Sequence, residues 1–358
     1  MPTLADVAQA VGVSRTTVSN AYSRPDQLSA ELRERIMDAA RQLGYAGPDP
    51  IAQGLRRGHT GSIGLVANAP LTYVLTDPAM LAFMTGVAKV CDEHGVSLVL
   101  LPATAEDADR SIRSAAVDGF ITYCDIPEER YALLRDRGLP FVQAEGKTDK
   151  RVAGVMIDDR GGASAAAAHV LALGHRRLAV IALNDHEVVG RLTATMQRRS
   201  AHANMAERLA GYRAATKSAG IDWRDVAVYG TGNAGSSREM GRVLAHDILM
   251  GPDRPTAVLA MSDEVAIGVL EAAAALGLDV PGDVSVVGFD DVAEAAHTRP
   301  PLTTVHQDLA KKGEVVTELL FDEHRGTPQV VLPCTLVVRD STGPPRAHQR
   351  SRHERHDP

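Results

Sequence analysis

The sequence predicts an α/β protein: an N-terminal all-α helix-turn-helix headpiece, then two doubly wound parallel α/β lobes. Three observations predict it. Residues 3–44 hold three capped, apolar-periodic segments and no strand-like run. From Ser62 onward, short aliphatic runs alternate with segments of helical period, the pattern of parallel sheets covered by helices on both faces. Those runs number nine, more than a single sheet usually holds, so they divide between two lobes.

Thr3 caps the first helix, with Asp6 where a capping box wants an acidic partner. Leu4, Val7, Ala8 and Val11 then share one face. Gly12 breaks the run, because glycine reaches the left-handed region without steric cost. Ser14 caps a second helix that turns Val18 and Ala21 inward and Arg15, Thr16 and Asn20 outward. Two helices joined by a short turn with a central glycine make the helix-turn-helix arrangement. Ser29 caps a third helix, whose Leu32, Ile36, Ala39, Ala40 and Leu43 complete a small core before Gly44 ends it. Asp49-Pro50 then reads as an N-cap and first helical residue of a piece about two turns long. So short a helix is marginal alone, and Gly54 weakens it by about 1 kcal/mol relative to alanine. DNA would stabilise it: Arg56 and Arg57 suit phosphate, and Leu55 suits an apolar wedge in the minor groove.

Composition narrows the rest. Aromatic residues are only 4% of the 358, so the cores are aliphatic. Cys91, Cys124 and Cys334 are far apart and form no CxxC, which fits a reducing compartment. The first residues lack the basic and apolar regions of a signal peptide, and no apolar stretch approaches the ~20 residues of a membrane span. A cytoplasmic protein, without membrane partners, is expected. Residues 1–60 carry seven arginines against six acids, so phosphate contact is modest and dimeric binding is expected to supply the affinity. The scattered histidines make no metal site, no cofactor is expected, and the Pro-, Arg- and His-rich end, 344–358, reads as a disordered tail.

In the body, SIGLVA, VSLVLLP, GFITY, LPFVQ, AGVMI, RLAVIAL, VAVYG, TAVLAM and VSVVGF read as buried strands. Segments around 80–94, 128–137, 161–173, 205–219, 236–250 and 264–276 read as the helices between them. Residues 184–204 form a longer link just before Arg208 that could cover a ligand cleft, its Arg191, Arg198 and Arg199 a solvated face. GTGNAG at 230–235 is a literal GxGxxG between a strand and a helix, and Asp263 ends the next strand. That pattern allows an NAD(P)-dependent enzyme, but no catalytic constellation accompanies it. The same glycines would equally bring backbone amides and Asn233 close to another small molecule.

The motif DVAxxxGVSxxTVS, followed by a Ser-capped helix ending in LGY, resembles the LacI family of transcriptional regulators, and the resemblance runs through nearly the whole chain. It implies a headpiece over 1–47, a hinge helix and linker over 48–60, and a periplasmic-binding-protein-like, effector-binding and dimerising body over 61–343. Arg15, Thr16 and Asn20 would read base edges, while Ser14, Thr17 and Ser29 would hold phosphates. Leu55 and Ala52 match the hinge residues that pry open the operator's central step. The hinge departs from the family in carrying one more residue between Tyr45 and Ala52 than some members, and in Gly54.

Ligands of such bodies sit at strand carboxyl ends. There the resemblance nominates Arg208, in a specific RLxGY context, whose other reading is a surface pair with Glu207. Asp290 would accept ligand hydroxyls, unless it merely caps a helix. Ser262 and Asp263 stand where the family often has Asn-Asp, so Ser262 should shift ligand preference. Asn68, Tyr73 and Tyr123 follow first-lobe strands, where a tyrosine could stack on a ligand or pack on its own lobe. The expectation is a homodimeric repressor of a near-palindromic operator, controlled by a sugar or sugar derivative. A solute-binding protein for transport is the alternative from another class, and it would have no use for residues 3–57.

Overall fold

The computed structural model describes residues 2–47, 58–102, 108–146, 149, 151–183, 187–198, 202–322, 324 and 326–346. The chain forms two compact units, the first of Met1–Ser62 with Ala116–Asp118 and a larger one of Ile63–Ala115 with Gly119–Pro358.

In the first unit, α1 (Leu4–Val11) opens with the Thr3/Asp6 capping box and closes at Gly12, φ 76°. Helix α2 (Arg15–Ser23) starts under the Ser14 hydroxyl, which accepts from the Thr17 amide. Helix α3 (Ala30–Leu43) runs from the Ser29 cap to Gly44, φ 70°. Val7, Ala8, Val18, Ala21, Ile36 and Ala40 are its buried core. Leu43, expected in that core, is 41% exposed. Gly44 turns the chain so that Tyr45 packs there instead, edge-on to Tyr22 with ring centroids 6.1 Å apart. The hinge helix, with Ala52 and Leu55, lies outside the described residues.

The second unit begins with β1 (Ser62–Ala67), α4 (Leu71–Val74), α5 (Pro78–His94), β2 (Ser97–Pro102), α6 (Ala108–Ser114), β3 (Phe120–Tyr123), α7 (Glu128–Asp136), β4 (Phe141–Ala144) and β5 (Ala153–Ile157). It continues through α8 (Asp159–Ala172), β6 (Leu178–Ala182), β7 (Val189–Arg191), α9 (Ala194–Arg198), α10 (Ala203–Ser218), β8 (Ala227–Thr231), α11 (Arg238–Met250), β9 (Ala257–Ala260), α12 (Asp263–Ala275), β10 (Ser285–Asp290) and β11 (Thr303–Gln307). Helix α13 (Leu309–Phe321), β12 (Gln329–Leu332) and β13 (Cys334–Val337) complete it.

The strands form two sheets, ordered β12-β5-β4-β3-β1-β2 and β13-β11-β10-β9-β6-β8-β7. In the second sheet the interior pairs are parallel, while β13 and β7 close its edges antiparallel. The nine expected strands are all present, and the described residues add β7, β11, β12 and β13. The chain passes between the sheets three times: after Ile157, after Gln307 and between Leu332 and Cys334. Asp158 and Asp308 cap the helices that follow the first two passages, accepting from Gly161 and Lys311 amides.

Aliphatic burial holds each lobe. Phe83 and Val87 of α5, with Val316 and Leu320 of α13, cover the first sheet. The second is covered on one side by α8 and α10, through Ala166 and Tyr212, and on the other by α11 and α12, through Leu244 and Val265. Glycines let these helices approach closely. A Cβ on Gly86 would lie 1.9 Å from the Ala310 carbonyl oxygen, and one on Gly268 would lie 2.1 Å from that of Arg238. Past β13, Ser341 bonds the Thr303 amide, and Arg346 pairs with Asp279 and Asp283, so contacts with the body continue beyond residue 343. The rest of the expected tail, 347–358, lies outside the described residues.

Candidate functional sites

On the headpiece, Arg15 and Thr16 are exposed at the start of α2, and Asn20 stands one turn further along, half-buried. The Asn20 amide reaches the Gln27 side chain at 3.5 Å, a contact weak enough for a base edge to replace. Ser14 and Thr17 share a 2.8 Å hydroxyl–hydroxyl bond at the helix N-terminus, and exposed Ser29 caps α3 through the Leu32 amide. Two helix N-termini therefore carry Ser14, Thr17 and Ser29, the backbone arrangement that favours phosphate.

The second site is a cavity of about 480 Å³ where strand carboxyl ends of both sheets meet. From the first sheet come Asn68 after β1, Tyr123 and Cys124 at β3, and Glu145 after β4. From the second come Ser262 after β9, Asp290 at β10 and Gln307 at β11, with Asn233 and Ser236 from the loop after β8. Helix α4 adds Tyr73, and α10 adds Asn204, Met205 and Arg208. Seven of the eight residues nominated from the sequence thus meet on one cavity. Asp263 does not. It is fully buried, and its carboxylate accepts from the Val292 amide at 2.8 Å and the Thr304 hydroxyl at 2.5 Å. As the first residue of α12 it turns into the core, where it ties β10 and β11 to the helix.

Arg208 is 4% exposed. Its Nε donates to Asp159 at 2.7 Å, its Nη1 lies 3.9 Å from Asp290, and its guanidinium carbon sits 3.6 Å from the Phe289 ring centroid. Glu207 pairs with Arg160 instead, so the surface-pair reading of Arg208 falls. Burial pushes the Asp159 carboxyl up to about 6 against the pull of Arg208. Burial also raises the Asp290 carboxyl well above its ordinary range; Arg208 opposes this, while Asp263 and Asp77 add to it.

A second polar chain runs behind the cavity. The Asp290 carboxylate accepts from Gln307 at 2.7 Å, Gln307 accepts from Lys312 Nζ at 2.9 Å, and Lys312 also donates to Glu145. Lys312 is fully buried and lies 5.6 Å from the Tyr123 ring centroid. Burial works to raise the Glu145 carboxyl, but Lys312 outweighs it and holds the group below its usual value. Across the lobes, Asn204 reaches Glu145 at 3.3 Å, and the Ala203 amide donates to Asp125 at 2.9 Å. Tyr73 donates to Asp77 at 2.8 Å, the carboxylate that also caps α5 through the Met80 amide. Tyr123 packs on Phe83 with centroids 4.7 Å apart, yet keeps an edge on the cavity.

Sequence reasoning missed Asp77, Glu145, Gln307 and Lys312. One structural signal marks several of these strand ends. Cys124, Glu145, Asp290 and Asp291 have φ of 61°, 61°, 126° and 59°, and the first three line the cavity. Non-glycine residues held there cost of order 1–3 kcal/mol each and cluster where function needs them. The 230–235 loop also reaches the cavity, with Gly232–Ala234 in a short 3-10 turn. Its Gly235 would place a Cβ 3.8 Å from Tyr73. The 184–204 link contributes β7, α9 and cavity-lining Asn204, while 184–186 and 199–201 lie outside the described residues. Arg191 and Arg198 are exposed, as a solvated face requires.

No group of three or more His, Cys, Asp or Glu among the described residues could hold a metal ion, and no described helix is long and apolar enough to cross a membrane.

Two family models match the chain. One, described as bacterial regulatory proteins, lacI family, covers residues 3–47; the other, a periplasmic binding protein-like domain, covers 167–342. An HTH-type transcriptional regulator of Mycolicibacterium smegmatis is 38% identical over 362 residues, 96% of this chain and 97% of its own length. The ribose operon repressor of Escherichia coli (strain K12) is 30% identical over 344 residues, 91% and 94% of the two lengths. A solved structure described as the transcriptional regulator CelR–cellobiose complex matches with a TM-score of 0.67 at 29% identity, over 95% of this chain and 100% of that one.

Proposed function

Since the chain belongs to the lacI family of bacterial transcriptional regulators, we propose that it represses transcription and that a sugar or sugar derivative between its lobes sets its operator affinity. One observation carries the effector half of this reading. Arg208, Asp290, Tyr73 and Asn68 converge, from both sheets, on a single cavity of small-molecule size. The CelR–cellobiose complex and the ribose operon repressor support a sugar as the class, and the latter supports repression.

Two copies would bind a near-palindromic operator, each placing Arg15, Thr16 and Asn20 in the major groove and Ser14, Thr17 and Ser29 on phosphates. Residues 48–60, with Ala52 and Leu55, would be the element that both ligands bias, forming against DNA or melting when the lobes shift. The cytoplasm is the proposed compartment, as a DNA-binding regulator requires. We read no catalysis here. The acid that a dinucleotide fingerprint would need for ribose, Asp263, spends its carboxylate on Val292 and Thr304. A transport binding protein would leave the capped headpiece without a role.

The test is fluorescence anisotropy on labelled DNA from upstream of the protein's own coding region. Arg15→Ala or Asn20→Ala should weaken specific binding by about 1–3 kcal/mol without changing effector-induced thermal stabilisation. Arg208→Met should do the reverse. Loss of both responses in either variant would overturn the division of labour.

A further inference from the structure

We propose that the cavity filters ligands by charge, admitting neutral or amine-bearing polyols and excluding phosphorylated and carboxylated ones. The inference rests on reading this cavity as the effector site.

Three carboxylates, Asp77, Glu145 and Asp290, line it among the described residues, against Arg208 and His202. Arg208 is already committed. It pairs with Asp159, stands beside Asp290, donates to the Met261 carbonyl and lies against Phe289. The other buried cation, Lys312, is fully covered behind Tyr123 and donates to Glu145 and Gln307. An entering phosphate would therefore meet three carboxyl groups and two buried cations already engaged, in a desolvated cleft where an unmatched charge costs far more than in water. Balancing it would require breaking a buried ion pair.

Hydroxyl and ammonium groups face the opposite situation. A carboxylate only accepts hydrogen bonds, so a polyol or amine supplies what the lining lacks. Glu145 Oε2 is held by weak partners, Asn204 at 3.3 Å and the Cys124 thiol at 3.7 Å, which a ligand hydroxyl can replace.

The test uses the full chain and matched sets of hexoses, pentoses and cyclitols, each as neutral parent, amino derivative, phosphate and carboxylate. Thermal shift finds binders and calorimetry ranks them. Neutral and amino forms should bind, with anionic forms at least about tenfold weaker, or about 1.4 kcal/mol. A phosphate or carboxylate binding as tightly as its parent would overturn the filter and leave the effector reading standing. If no member of any set bound, the effector reading would fall, and the filter with it. Asp77→Asn keeps size and the acceptor for the Met80 amide, Asp290→Asn keeps size and the acceptor for Gln307, each removes a charge, and either alone should narrow the discrimination. Unchanged discrimination in both would show that these carboxylates are not its source.

Discussion

Replacing Lys312 by methionine isolates the energetics of the ion pair behind the cavity. The lysine side chain is 0% exposed and Glu145 is 5% exposed, so neither charge falls back on water when its partner goes. Removing one member of such a pair costs about 3–5 kcal/mol, most of it the penalty of an unmatched buried charge. In a unit of this size that lowers the melting temperature by roughly 6–12 °C. The pH dependence identifies the cause. In the native protein Lys312 holds the Glu145 carboxyl below its ordinary value, so the pair stabilises above about pH 4.3, the unfolded pKa, and loses that contribution as pH falls through the folded one. In Lys312→Met burial, the largest influence, is opposed only by the weaker pull of Arg208 and the Cys124 thiol, and the carboxyl rises above its unfolded value. The penalty should then be full at pH 7 and shrink towards about pH 4.3. Calorimetry of the wild type, Lys312→Met and Lys312→Met/Glu145→Gln at both pH values checks this, and the double variant should recover more than half of the loss. A single-variant cost below about 1 kcal/mol, or a double variant no better than the single, would refute the reasoning.

Three further outcomes follow from the same geometry. Helix α10 opens without a side-chain cap from His202, and Asp125 of the other lobe supplies one to the Ala203 amide. Asp125→Ala should therefore weaken that helix start by about 1 kcal/mol and speed hydrogen exchange at Ala203, and Asp125→Asn should restore both. Gly86→Ala would force a Cβ to 1.9 Å from the Ala310 carbonyl oxygen, so α5 and α13 must part, at a cost of about 1–3 kcal/mol in a melting experiment. Burial raises the Asp77 carboxyl, so its contribution is fully present below about pH 3.9 and lost as pH rises through the folded value. Asp77→Asn keeps a capping side chain and should match or exceed wild-type stability at pH 7; a clear loss there would assign Asp77 a structural role.

What the sequence disclosed follows from how local each signal is. Ser14 and Ser29 caps, the turn at Gly12 and the run SIGLVA depend on a few neighbouring residues, and each sits where expected. Strand β11, TTVHQ, escaped because four of its five residues are polar, and only its neighbours in the sheet bury them. Gln307 was lost with it. Lys312 follows Lys311 and reads as a second solvated charge, yet α13 turns one outward and the other into the core. The left-handed backbone at Glu145 has no glycine or asparagine to announce it. Asp263 misled for the opposite reason. It stands at a strand end beside Ser262, and only tertiary packing against Thr304 shows where its carboxylate is spent.

The three passages between the sheets make the two lobes inseparable by any one break in the backbone. A protease cutting at a single passage leaves two intact tethers. Anyone grafting one lobe of a relative onto this chain, to exchange ligand preference by halves, must join at three places: near Asp158, Asp308 and Pro333. A chimera built with a single junction would combine strands from different parents within one sheet and misfold.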